Sequence, residues 1–166
     1  GVPISLSNLE NYHKYGVFEI GMSKKGEIDQ LSKIVKPDIA IITNTAEAHI
    51  ENFKNIKGIA EAKSEIIKNI KKKGFLALNR DDKFFNFYYG LAKNYKVKTI
   101  SFGYSKKSDI YPIHIKKLEN KTIVKIKVIN EIISFSLNDT NIYNILSSIA
   151  VLKILNLNIN KTLKYF

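Results

Sequence analysis

Glu19, His49 and Lys63 are the residues of the amino-terminal half whose types and positions together suit metal binding or proton transfer. Glu19 lies in "YGVFEIG", an otherwise apolar run. A carboxylate there is costly unless it meets a cation or hydrogen-bond donors, which suits a metal ligand or, equally, a cap on a neighbouring helix. His49, in "NTAEAHIENF", has the same two readings, ligand or hydrogen-bonded loop residue. Lys63 is the least expected of the three. In "IKGIAEAKSEIIKNI" the apolar positions Ile56, Ile59, Ala60, Ile66, Ile67 and Ile70 form a stripe at helical period, and Lys63 fills the gap in it. Its methylene stem can lie along a core while the ammonium reaches water. Alternatively, burial lowers its pKa, and the free amine takes up carbon dioxide as a carbamate, an oxygen ligand for a hard cation. The other histidines, His13 and His114, have no acidic cluster around them and read as structural.

The elements that must position these residues are legible as strands alternating with helices. Apolar runs at residues 15–20, 38–43, 75–78 and 97–102 read as strands, and the segments between the last three, together with "GEIDQLSKIV", have helical spacing. Crossovers of that length imply mutually parallel strands in a sheet covered on both faces. Such sheets carry their sites at the carboxyl ends of the strands. Here those ends are residues 19–23, 43–49, 79–82 and 101–104, where the polar residues gather.

After Gly103 the pattern becomes strict alternation in "DIYPIHIKKLE", "KTIVKIKVIN" and "EIISFSL", an antiparallel meander. "NDTNIYNILSSIAVLKILNL" then reads as an amphipathic helix with capping residues at its start, and "INKTLKYF" begins another. The expected fold is α/β, a mainly parallel sheet flanked by helices with a small antiparallel meander. Residues 1–103 would form the parallel part, 104–138 the meander and 139–166 the helical end.

Composition narrows the function classes. The chain has 166 residues, 45% of them hydrophobic, enough for one substantial core. The net charge of +12 is almost all lysine, with Arg80 the only arginine, and is spread along the whole chain. Arginine is preferred for bidentate contacts to phosphates and bases, so this reads as compositional bias and no nucleic-acid partner is expected. A basic nucleic-acid-binding domain remains the rival from another class. With no cysteine, disulfides and thiolate sites are excluded, compatible with the cytoplasm. No apolar run approaches the roughly 20 residues that span a bilayer.

Taken in order, "GVPISL", "FEIGMSKKGEI", "KPDIAIITNTAEAHIENF", "GIAEAKSEII" and "LNRDD" resemble the central ATPase domain of the Mur ligases, and the likeness resumes at Asn141. Within that family they are most similar to the branch that joins D-alanyl-D-alanine to UDP-MurNAc-tripeptide in peptidoglycan synthesis. Another Mur-type ligase or a folylpolyglutamate synthase is the nearest alternative. The resemblance implies a P-loop NTPase-like fold and a cytoplasmic, monomeric ligase in which ATP converts a carboxylate to an acyl phosphate that an amine then attacks.

It further implies that Glu19 holds a magnesium on the ATP phosphates, and that His49 and a carbamylated Lys63 hold a second. Asn141 and Asn144 match the asparagines at the adenine, and Asn79, Asp81 and Asp82 match an "N-x-D-D" segment near the site. The family usually has glycine and histidine where this chain has Asn138 and Thr140, which weakens the adenine match. The family's Gly-Lys-Thr/Ser phosphate loop has no counterpart in the sequence. The expectation is therefore part of a central domain without its phosphate loop, amino-terminal UDP-binding domain and carboxy-terminal domain, inert on its own.

Overall fold

The computed structural model describes residues 1–46, 52–138 and 141–163. Its six strands form one sheet in the order β1 (Ile39–Ile42), β2 (Phe75–Asn79), β3 (Lys98–Phe102), β4 (Ile110–Lys117), β5 (Thr122–Val128) and β6 (Glu131–Leu137). β1, β2 and β3 are parallel, β3 meets β4 in parallel through Phe102 and Ile110, and β4 to β6 form the expected antiparallel meander. The helices are α1 (Val2–Ser7), α2 (Glu27–Val35), α3 (Ile56–Ser64), α4 (Phe85–Asn94), α5 (Ile142–Ile154) and α6 (Ile159–Thr162).

The alternation of β2 sorts the core onto two faces. Leu76 and Leu78 join Ala40, Ile42, Ala60, Phe85, Tyr88 and Ala92 on the side covered by α3 and α4. Ala77 joins Ile100 and Phe102, α5, and the inward residues of the meander on the other. Both faces are apolar because both are covered, one by the crossover helices α3 and α4 and the other by α5, which follows the meander. At about 1.5–3 kcal/mol for each fully buried aliphatic side chain, this double burial sustains the fold.

The expected strand over residues 15–20 is not formed. Its backbone has no ladder partner among the described residues, and Val17 is 95% exposed, so the apolar run has neither the hydrogen bonds nor the burial that make a strand. β1 is accordingly the edge of the sheet. The short helix α1 was not foreseen; Pro3 in its first turn is compatible with a helix start, and Val2 is its buried residue.

The helix expected over residues 56–70 also divides. α3 ends at Ser64, and a single 3-10 turn follows at Ile67–Asn69. At the break, two side chains reach α2. The Glu65 carboxylate accepts from Gly26 N at 2.9 Å and from Asp29 N at 3.0 Å, capping the start of α2. The Asn69 amide donates to Asp29 Oδ1 at 2.9 Å and to Ser32 Oγ at 2.8 Å. Asp29, bonded also by Lys33 and Lys68, is held well below the usual carboxylate range by Lys33, Asn69 and Lys68, in that order.

Glu65→Ala should thus lower stability by about 1–2 kcal/mol, since it removes a charged acceptor from the first amides of a helix. The urea midpoint of the variant against the parent measures the loss, and an unchanged midpoint would mean that water caps α2 equally well.

Candidate functional site

The carboxyl ends of β1, β2 and β3 meet at Asn79-Arg80-Asp81-Asp82, the turn leaving β2. Asn79 is 7% exposed, and its side-chain oxygen accepts from Asp81 N at 2.9 Å, fixing the turn from within. Asp82 reaches toward the α3/α4 side. One of its oxygens accepts from Thr45 N in the segment leaving β1, and the other from Phe84 N at the entry to α4, at 2.7 Å. Thr45 is itself buried, and its hydroxyl meets the Tyr88 hydroxyl at 2.6 Å.

Lys63, on the last turn of α3, is half-buried and within electrostatic reach of Asp82. Burial pushes its ammonium pKa below the ordinary lysine value, and the Asp82 carboxylate opposes the shift without cancelling it. Of the two readings of Lys63 left open by the sequence, a half-buried amine with a lowered pKa fits uptake of carbon dioxide. A fully solvated ammonium would not. The geometry equally permits a stem along the core with its head near a carboxylate.

Asp81 serves the other side of the turn. Its carboxylate accepts from Ser105 N at 3.1 Å, from the Tyr143 hydroxyl at 3.1 Å, and from Tyr104 N. Gly103 permits this approach: it sits at φ +151°, and a Cβ there would lie 2.6 Å from an Asp81 oxygen. Tyr104 and Tyr143 pack edge to face at 5.1 Å. Burial, with the nearby Asp81 charge, raises the Tyr143 phenol to about 12, so it donates as a neutral hydroxyl.

Asn141 caps α5, its side-chain oxygen accepting from Tyr143 N at 2.9 Å, which leaves the amide NH2 as a donor. Asn144 lies one turn further on, exposed. Asn141 and Asn144 therefore share the β2 turn's neighbourhood through Tyr143 and Asp81.

The structure thus draws Lys63, Asp82 and Asn79 to one edge and ties the start of α5, with Asn141 and Asn144, to the same turn. Glu19 is not drawn in. It is exposed on the extended stretch before α2 and makes no side-chain hydrogen bond or ion pair with another described residue. Nor does it cap α2, which Glu65 does, while Glu27 accepts from Ser23 N and Lys24 N. His49 lies outside the described residues. Among the described residues no three His, Cys, Asp or Glu side chains gather as a metal-binding group.

Thr45, Tyr88, Tyr104 and Tyr143 were missed by sequence reasoning. A signal existed for Tyr88, a hydroxyl on the buried line Phe85, Tyr88, Ala92 of α4.

The chain belongs to the Mur ligase middle domain family, whose model matches residues 1–152. It is similar to UDP-N-acetylmuramoyl-tripeptide--D-alanyl-D-alanine ligase of Rickettsia prowazekii, 36% identical over 138 residues, or 82% of this chain and 31% of that one. MurF from Acinetobacter baumannii superposes with a TM-score of 0.89 at 28% identity, covering 98% of this chain and 36% of that one. MurF ligase from Thermotoga maritima, solved in complex with ADP, superposes with a TM-score of 0.80 at 27% identity, covering 95% and 37%. The chain therefore spans about a third of the length of the relatives it matches.

In a titration followed by NMR of isotopically labelled lysines, Lys63 should deprotonate at lower pH than the exposed lysines. Because Asp82 favours the charged form, Asp82→Asn should move that titration lower still. Co-titration of Lys63 with the surface lysines would contradict its burial.

Proposed function

We propose that this chain is the middle region of an ATP-dependent ligase that joins D-alanyl-D-alanine to UDP-MurNAc-tripeptide through an acyl phosphate. The observation that carries the reading is the family match over residues 1–152, and the half-buried Lys63 near Asp82, with burial favouring its free amine, supports it. The name of the Rickettsia prowazekii relative and the ADP complex of the Thermotoga maritima structure support the substrate and the nucleotide.

In this reading Asn141 and Asn144 face the adenine, and the unused amide of Asn141 supplies a donor to a ring nitrogen. Asn79 and Asp82 support the nucleotide edge by fixing the turn after β2. Lys63 acts through its side-chain nitrogen: the ammonium gives one proton to water, the neutral amine attacks carbon dioxide as one C=O π pair moves to oxygen, and a second proton passes from nitrogen to water to leave the carbamate anion. The resulting oxygens, with His49, would hold a magnesium ion, while Glu19, exposed on the stretch before α2, is not drawn to this edge and does not fit that ligand set. When bound, magnesium would neutralise charge on the transferring phosphoryl group.

The lowered pKa of Lys63 is the feature of this chain that fits the modification, because only the neutral amine is nucleophilic. We place the protein in the cytoplasm, where ATP and a nucleotide-linked substrate meet, as a monomer that engages no nucleic acid. No described helix is long and apolar enough to cross a membrane.

In the full-length ligase, Lys63→Ala should reduce ligation by at least about 100-fold, the scale of losing a metal's supporting ligand. Acetate should restore part of the rate by offering carboxylate oxygens in the vacated space. Lys63→Arg should stay inactive, since a guanidinium keeps its charge and forms no carbamate. A fully active arginine variant would show that the residue serves as a cation, and the carbamate assignment would fall.

A further inference from the structure

The segment leaving β1 is held at a point that packing alone does not require. Thr45, 9% exposed, is gripped twice: its backbone N–H donates to Asp82, and its hydroxyl meets that of Tyr88. Tyr88 is 1% exposed and lies in the apolar cluster beneath α3 and α4. A phenylalanine would fill nearly the same volume there, so the hydroxyl is not needed for burial. Its partner is Thr45. Asp82 cannot relax away, because its second oxygen is bound to Phe84 N and its own N–H donates to Asn79 O at 3.3 Å. Both anchors are therefore held, Asp82 in the bonded turn after β2 and Tyr88 in the first turns of α4.

We infer that Asp82 and Tyr88 form a two-point clamp that fixes Thr45 as the chain leaves β1, at the edge where Asp82 acts on Lys63, making both positioning residues for the reacting edge. The inference rests on the reading of that edge as the ligase site. The clamp explains why a polar pair is retained inside an apolar cluster: a buried hydroxyl pair is favourable only when both members are satisfied, so each holds the other in place.

Amide hydrogen exchange in the full chain tests the clamp. Tyr88→Phe and Thr45→Val should each speed exchange of the Thr45 amide about tenfold, while the amides of Leu76 and Leu78 in β2 change less than twofold. The double variant should be no faster than either single one, because each removes the same contact. Thr45→Ser, which keeps the hydroxyl, should retain slow exchange. Unchanged exchange at Thr45 in Tyr88→Phe, additive effects in the double variant, or equal acceleration through β2 would each overturn the clamp.

Its role in positioning is read in the full-length protein. Tyr88→Phe should lower kcat for ligation about tenfold with KM for ATP unchanged. A raised KM at full kcat would overturn that role. Absence of ligation by the parent protein would refute the functional reading and leave the exchange result to decide the clamp.

Discussion

Two adjacent carboxylates at the end of β2 hold the site edge together. In the turn that leaves β2, Asp81 and Asp82 take partners on different sides of the sheet. Asp82 binds the segment after β1 and the entry to α4. Asp81 binds the turn after β3 and, through Tyr143, the start of α5. Two neighbouring negative charges repel, and the arrangement persists because backbone N–H groups and a phenol hydroxyl meet them. Hydrogen bonds to a charged acceptor contribute about 1.5–3 kcal/mol each, more than neutral ones. The polar residues at three strand ends thus depend on one four-residue turn. Gly103 belongs to the same constraint, since any side chain there would displace the Asp81 carboxylate.

Lys63 shows a different balance. Desolvation favours the neutral amine, while Asp82 favours the ammonium, and desolvation is the larger effect. A lysine held at this balance can supply a nucleophilic nitrogen without being an isolated buried charge. In a chain with net charge +12 the other lysines belong mostly to solvated surfaces, so position rather than residue type distinguishes this one.

Features set by local pattern were legible in the sequence. The alternation of Leu76, Ala77 and Leu78 across two faces, the meander from Ile110 to Leu137, and the Asn141 cap on α5 all follow from spacing and residue type within a few positions. Features that depend on distant partners were not. An apolar run at residues 15–20 carries the composition of a strand, but a strand also needs a paired edge, and the run alone cannot report its absence. The break after Ser64 falls where Glu65 reaches α2 amides 36 and 39 residues away. Thr45 and Tyr88 meet across 43 residues; the buried line of α4 marks Tyr88 as a hydroxyl needing a partner, but nothing local names Thr45 as that partner. Lys63 was legible because it interrupts an apolar stripe, whereas the placement of His49 lies outside the described residues.

The division of labour between the two carboxylates is tested most directly by comparing amide exchange in Asp81→Asn and Asp82→Asn. An asparagine keeps one acceptor oxygen and loses the charge, so each variant must release part of what its carboxylate holds. The account predicts faster exchange at Thr45 and Phe84 in Asp82→Asn, and at Tyr104 and Ser105 in Asp81→Asn, with little crossover between the two sets. Identical exchange patterns in the two variants, or no acceleration at either set, would contradict it.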